Sequence, residues 1–215
     1  LGKGVDWAYA NVDLLMGADV LAVALLYTLQ IYFDFSGYCD MASGIGEMFQ
    51  ISIPQNFNSP YKATSITEFW NRWHMSLSGF LQKYIYFPLG GSRKGLGRSI
   101  VNIMIVFLVS GIWHGANWTF ILWGIIHGFF NVCEKILTDM FKKTKIVKSK
   151  INKRISCGLK VAKDLLGYVY MFIFINATWV VFRAESIADI KKIYHSLTVK
   201  TGGISEMITA KVNDL

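Results

Sequence analysis

An uncharged stretch from Ser99 to Cys133 constrains this chain more than any other feature of its sequence. Its 35 residues contain no Asp, Glu, Lys or Arg, although His114 lies near the middle. Because about 20 apolar residues cross the hydrocarbon core of a bilayer, a stretch of this length predicts membrane-embedded helices. A histidine is costly inside a membrane and is a functional hypothesis by default. We therefore predict that His114 belongs to a functional site.

Basic segments flank this stretch on both sides. Segment 142–163 contains nine basic residues and no acidic one. The positive-inside rule places such a segment in the cytoplasm, where it can also touch anionic lipid headgroups. A helix from Ser99 would carry His114 about 22 Å from that side, inside a hydrocarbon core about 30 Å thick. Nucleic-acid binding is not expected, because no aromatic residue is interleaved with these charges.

The composition also favours a membrane protein. Only 17% of the residues are charged, whereas soluble domains carry about 25%. The fold class that we predict is all-α: a polytopic membrane protein with transmembrane helices and additional amphipathic or re-entrant helices. Because the sequence begins without Met and stops without a closing element, we expect residues 1–215 to be a single fragment of a longer membrane domain.

Two acids lie on the first apolar segment, within IYFDFSGYCDMA at residues 31–42. Helix geometry places Asp34 and Asp40 on opposite faces unless the helix breaks, and Gly37 makes a break plausible. One interpretation is that these carboxylates pair with an arginine and hold helices together. The other is that they contact a substrate.

A second histidine, His74, follows a loop predicted over residues 50–64. Ser65 and Glu68 have the spacing of a capping box, which predicts that a helix begins at Ile66. Apolar residues recur with helical spacing as far as Ile85, so we predict one amphipathic helix that carries His74. A structural role and a functional role for this histidine stay equally open at this point.

Three further features complete the pattern. The glycine-rich segment 88–98 is either a cytoplasmic turn or, through Arg93 and Lys94, a contact for the phosphates of an acyl donor.

For His127 we predict a structural hydrogen bond. A zinc site with His114 is not expected, because thirteen residues turn a helix by about 220°. The uncharged run 165–182 predicts another span, and Ser186 should cap a short helix that ends near Leu197.

These residues alone leave two classes of function open. A neutral imidazole in a channel is a competent general base for a hydroxyl. The same imidazole could also serve as a proton relay in a transporter.

Several segments, taken in order, resemble the membrane-bound O-acyltransferase family. The matching segments are QIYFDFSGYCDMA (30–42), PQNFNSPY (54–61), EFWNRWHMSLS (68–78), YIYFPLGGSRKG (84–95), SGIWHGANWTFILWGIIHG (110–128) and FRAE (182–185). Within the family, the chain is most similar to the membrane subunit of bacterial alginate and related polysaccharide O-acetyltransferases.

The resemblance implies a catalytic role for His114 and a second polar site position for His74. Further predicted substrate contacts are Trp113, Asn117, Asp34, Asp40, Arg93 and Lys94. It also implies a thioester donor, acetyl-CoA or an acyl carrier protein, with no permanently bound cofactor and no metal. The expected acceptor is an exported polysaccharide or a periplasmic or extracellular acyltransferase partner. The resemblance further implies that the family's amino-terminal helices precede the residues of this chain. D-alanyl transfer to teichoic acid and proton-coupled transport are the alternative functions.

Overall fold

The computed structural model of the chain describes residues 2–15, 17–143 and 153–198, without the side chains of 141–160. The helices are α1 (Gly2–Ala10), α2 (Ala18–Met48), α3 (Ile66–Trp70), α4 (Met75–Leu81), α5 (Gly95–His114), α6 (Trp118–Lys143), α7 (Lys153–Arg183) and α8 (Ile187–Ser196). Short 3-10 turns cover Val12–Leu14 and Pro60–Lys62, and a π-helical turn covers Gln82–Tyr86. These ranges contain no strand, which confirms the predicted all-α class.

Four helices are long and apolar enough to cross a membrane. They are Ala18–Met48, Gly95–His114, Trp118–Met140 and Val161–Arg183. The predicted spans within the stretch 99–133 and the run 165–182 are therefore confirmed. Residues 144–152 of the basic segment 142–163 lie outside the described residues, and the side chains of 142–160 are not described, so its predicted position stays a prediction.

Helices α5 and α6 form a closely packed antiparallel pair. A methyl group added to Gly111 would lie 2.5 Å from the carbonyl oxygen of Phe120, and one added to Gly124 would collide with the carbonyl of Phe107. Small residues allow such backbone approach between membrane helices. Gly115, at φ +153°, ends α5 immediately after His114. The tight turn thereby fixes His114 at a helix end.

Polarity is distributed as expected for a membrane protein. One side of α7 exposes a series of large apolar side chains: Val161, Leu165, Val169, Phe172 and Ile173. In contrast, Asn102, Thr119 and His127 are completely buried. Lipid tails solvate apolar side chains as well as a protein interior does, so apolar residues occur on both the outer and the inner side of the helices, whereas these polar groups are turned inward.

Helix α2 runs unbroken through Gly37 for 31 residues. The break that would bring Asp34 and Asp40 to one face does not occur. The ion pairs of the described residues join Arg72 to Glu68, Arg183 to Asp6 and Lys192 to Asp13. Within that part of the chain no ion pair joins either α2 carboxylate to an arginine, and their predicted pairing stays a prediction.

The predicted amphipathic helix 66–85 is also wrong in its continuity. Its start is confirmed, because the Ser65 hydroxyl accepts a hydrogen bond from the Glu68 amide at 3.1 Å. However, α3 ends at Trp70 and α4 begins at Met75. His74 lies between them in the left-handed region, at φ +45°. Helical spacing of apolar residues persists across this break, so the sequence pattern did not reveal it.

Candidate functional site

The turn after α5 and the turn after α7 lie at one end of the molecule, because Asn117 Nδ2 donates to the Glu185 carbonyl at 2.9 Å. We call this the outer end. The opposite end, where segment 88–98 leads into α5, is called the basic end. A cavity of about 480 Å³ lies near the outer end. Its lining includes His74, His114, Asp34, Gln30, Trp70, Trp123, Trp179, Phe182 and Arg183.

Aromatic rings hold His114 in this cavity. Its ring centroid lies 5.0 Å from Phe182, 5.3 Å from Trp123 and 5.0 Å from Trp113. The first two contacts are edge-on, at interplanar angles of 84° and 89°. Helix α5 supplies the histidine, and α6 and α7 supply these two rings. The site around His114 is therefore assembled by helix packing.

Hydrogen bonds hold His74. Its Nδ1 lies 3.3 Å from Asn56 Oδ1, and its ring packs edge-on against Phe35 at a centroid distance of 4.7 Å. The Met75 amide donates to the Asn56 carbonyl at 3.0 Å, which attaches the turn to the preceding loop. Burial lowers the pKa of His74 to about 4, so the ring is neutral at neutral pH.

The outer cavity also carries charged groups. Asp34 lines it from α2, and Arg183 lines it from the end of α7. Arg183 donates to Asp6 at 2.8 Å and lies over the Tyr9 ring at 5.1 Å. This arginine is therefore held in place by α1, while the charged groups that line the cavity come from α2 and α7.

A second cavity, of about 980 Å³, extends toward the basic end. Lys135 and Lys163 contribute to its lining, as do Ser110 and Trp70. Trp70 is the residue that lines both cavities within the described part of the chain. Its indole N–H donates to His127 Nδ1 at 3.2 Å, which confirms the predicted structural hydrogen bond of His127.

The other predicted contacts are dispersed. Trp113 approaches both histidine rings, at centroid distances of 6.1 Å to His74 and 5.0 Å to His114. Asn117 lies outside the cavity lining and caps the start of α6, because its Oδ1 accepts from the Thr119 amide at 3.1 Å. Asp40 is exposed on α2 and is absent from both linings. Its role and that of Asn117 stay predictions.

Arg93 and Lys94 are exposed in the turn before α5 and line neither cavity. Helix α5 holds this turn in place, because Asn102 Nδ2 donates to the carbonyls of Leu89 at 3.3 Å and Gly91 at 3.0 Å. The two cations lie at the basic end, as does the larger cavity. A contact with an acyl donor stays a prediction for them.

Sequence reasoning did not assign site roles to Asn56, Trp70 and Arg183. Each lies in a segment that carries the family resemblance, but the sequence offered no way to know that Trp70 and Arg183 line a cavity or that Asn56 contacts His74. A metal site would need a cluster of ligands, and the described residues contain no group of three or more His, Cys, Asp or Glu that could hold an ion.

Comparisons with known proteins agree with this architecture. The family model described as "MBOAT, membrane-bound O-acyltransferase family" matches residues 6–182. The chain is 40% identical over 200 residues to the peptidoglycan O-acetyltransferase of Helicobacter pylori, covering 93% of this chain and 35% of that protein. It is 41% identical over 192 residues to the probable alginate O-acetylase AlgI of Azotobacter vinelandii, covering 89% and 35%.

A more distant relative is the teichoic acid D-alanyltransferase of Bacillus subtilis, which is 32% identical over 126 residues, covering 55% of this chain and 32% of that protein. The chain thus spans about a third of the length of the curated relatives that it matches. A match over residues 6–182 of 215 covers most of the sequence. The chain belongs to the membrane-bound O-acyltransferase family.

Proposed function

We propose that this chain carries the reaction centre of an O-acyltransferase that moves an acyl group, acetyl in the first instance, from a thioester to a hydroxyl of an exported polysaccharide. The observation that carries the proposal is the pairing of His74 and His114 in one cavity near the outer end. Relatives named for O-acetylation of alginate and peptidoglycan support the acetyl group and the class of acceptor.

The transfer is an acyl exchange in which His114 is the general base. The acceptor hydroxyl gives its proton to the imidazole as its oxygen attacks the thioester carbonyl. The tetrahedral intermediate then collapses, the carbon–sulfur bond breaks, and the leaving thiolate takes the proton from the imidazolium. The products are an ester and a thiol, so atoms and charge balance without another reactant.

The two cavities provide opposite routes to this centre. The larger cavity extends toward the basic end, where its lining holds two lysines, Lys135 and Lys163, and two acids, Glu134 and Asp139. In our proposal the lysines bind the phosphates of acetyl-CoA or an acidic group of an acyl carrier protein. Trp70 separates it from the smaller cavity, which holds the two histidines. Donor and acceptor would therefore arrive from different sides of the membrane and meet beside Trp70 and His114.

We place the protein in the plasma membrane, with the basic segment 142–163 in the cytoplasm and the outer end facing away from it. The acceptor would be the polysaccharide itself or a periplasmic or extracellular acyltransferase partner that passes the acyl group on. D-alanyl transfer is a second candidate, because the relatives include a teichoic acid D-alanyltransferase. The same histidine chemistry serves both candidates, which differ in the donor and in the acceptor.

Membranes from cells that express the complete gene provide the test. They are incubated with acetyl-CoA, an acetylated carrier protein or a D-alanylated carrier protein, each radiolabelled in the acyl group. Label should enter polysaccharide or a partner protein from an acetyl donor. Transfer from the D-alanyl donor alone would favour the second candidate. Movement of a solute under a proton gradient, with no transfer from any thioester, would show that the chain is a transporter.

A further inference from the structure

The side chain of Asn56 has only one consistent orientation. One of its terminal atoms lies 3.1 Å from the Ser76 amide nitrogen and 2.6 Å from the Ser76 hydroxyl. A backbone N–H can only donate, so the atom that faces it is the carbonyl oxygen, Oδ1. The amide nitrogen, Nδ2, then points toward Cys39 Sγ, at 3.5 Å. The side-chain amide of Asn56 therefore cannot rotate by 180° without losing these hydrogen bonds.

This orientation determines the proton on His74. The ring nitrogen Nδ1 lies 3.3 Å from the same Asn56 oxygen. Because a carbonyl oxygen only accepts, Nδ1 must carry the proton. In a neutral imidazole the other nitrogen, Nε2, then carries the lone pair. His127 has the opposite tautomer, since its Nδ1 accepts from Trp70 and its proton is left on Nε2.

We propose that Asn56 is a positioning residue that holds His74 in the Nδ1–H tautomer, so that Nε2 accepts a hydrogen bond from the hydroxyl to be acylated. A ring with its lone pair at Nε2 cannot donate to the thioester carbonyl through that atom. His74 thereby binds the hydroxyl that accepts the acyl group and not the thioester that donates it. This agrees with the place of His74 in the cavity near the outer end. The kinetic consequence rests on the proposed acyl transfer, whereas the tautomer does not.

Other titratable or charged side chains share the surroundings of His74. They are Tyr27, Asp34 and Tyr38 on α2, His114 on α5 and Arg183 on α7, with Cys39 behind Asn56. Among the described residues, Asn56 is the partner that His74 has within hydrogen-bonding distance. The position of the proton is therefore controlled by Asn56 and not by a neighbouring charge.

The tautomer can be measured directly. The complete protein is labelled with ¹⁵N-histidine and reconstituted in nanodiscs, and the signals of His74 are identified as those lost in His74→Asn. Near neutral pH we expect a protonated Nδ1 and an unprotonated Nε2. In Asn56→Leu, which keeps the side-chain volume and lacks an acceptor, both nitrogens should show exchange-averaged shifts. A protonated Nε2 in the wild-type protein would overturn the proposal.

Kinetics provide the second test. Asn56→Leu should lower kcat for acyl transfer by about tenfold, the effect of one lost hydrogen bond, and leave KM for the thioester unchanged. Asn56→Asp keeps the acceptor oxygen and should restore kcat. Its carboxylate also favours the imidazolium, so the acid limb of the pH profile should move to higher pH.

Ser76→Ala is the matched control, because it removes a hydrogen bond to the same Asn56 oxygen without touching His74. Its kcat should stay within about twofold of wild type. A loss in Ser76→Ala equal to that in Asn56→Leu would mean that Asn56 only stabilises the turn, and would refute the positioning role. If the wild-type protein transfers no acyl group, the proposed function fails, while the ¹⁵N shifts still decide the tautomer.

Discussion

The two histidines of the outer cavity are held in different ways. His114 is the last residue of a regular helix, and aromatic rings from α6 and α7 surround it. His74 lies in an irregular turn at φ +45°, and the amide of Asn56 orients its ring. Ring packing fixes a position but leaves the choice of tautomer open, whereas a hydrogen bond fixes both. A base that must gain and lose a proton is suited to the first environment, and a hydrogen-bond acceptor to the second.

The largest expected effect tests the base. His114→Ala should lower acyl transfer by about 10²- to 10⁴-fold, the usual contribution of general acid–base catalysis. The measurement is the rate of label transfer per folded enzyme in membranes. His195→Ala is the control, since that histidine is exposed on α8 and lies far along the chain from the site motifs. Equal rates in both variants would remove His114 from catalysis.

The second effect should be smaller, because His74 orients a hydroxyl and does not take its proton. We expect His74→Asn to lower kcat by about 10- to 100-fold. Asn tolerates the left-handed backbone conformation, so this variant separates the loss of the imidazole from backbone strain. His74→Ala should lose the same activity and also melt at a lower temperature. A rate for His74→Asn as low as that of His114→Ala would contradict the division of roles.

The third prediction tests whether helix packing places His114. Gly111→Ala should destabilise the protein by about 1–3 kcal/mol, because its methyl group would collide with the Phe120 carbonyl of α6. Gly97→Ala is the matched control on the same helix, where an added methyl group meets nothing within 4 Å. Thermal melting in detergent distinguishes the two variants. Equal melting temperatures would show that the close α5–α6 contact is not required.

The difference between the two regions also explains what the sequence could predict. The uncharged stretch predicted membrane-embedded helices around His114, since regular helices obey rules of length and hydropathy. The break before His74 was missed, because apolar spacing continues through residues 71–74 and the turn is stabilised by a loop 18 residues away, at Asn56. Tertiary hydrogen bonds of this kind leave no periodic signal.

The spacing between Asp34 and Asp40 gave a similar partial result. Helix geometry correctly indicated opposite faces, and α2 continues through both residues. Only Asp34 lines the outer cavity. Sequence spacing could not determine which carboxylate lines the cavity, because that depends on how α2 packs against α7. The capping residue Ser65, by contrast, was predictable because its hydrogen bond closes within four residues.

The smallest expected effect concerns the segment that leads to His74. The Thr64 amide, the Thr64 hydroxyl and Arg72 all bond to the Glu68 carboxylate, and the Thr64 amide is the main cause of its lowered pKa. Since the folded pKa lies below the unfolded value, the stabilisation is complete above the unfolded pKa of about 4.5 and is lost as the pH falls through the folded pKa.

Glu68→Gln should therefore lower the melting temperature at pH 7 by roughly 1–2 °C, an estimate reduced for solvent screening of a partly exposed pair. The difference from wild type should shrink as the pH falls below about 4. Glu47→Gln changes an exposed carboxylate at the end of α2. It is the control and should leave the melting curves unchanged.

Because Arg72 also donates to the Asn58 carbonyl at 3.1 Å, Glu68→Gln should also loosen the loop that carries Asn56. A small loss of kcat in Glu68→Gln, with none in Glu47→Gln, would indicate that His74 depends on the hydrogen bonds of the segment that precedes it.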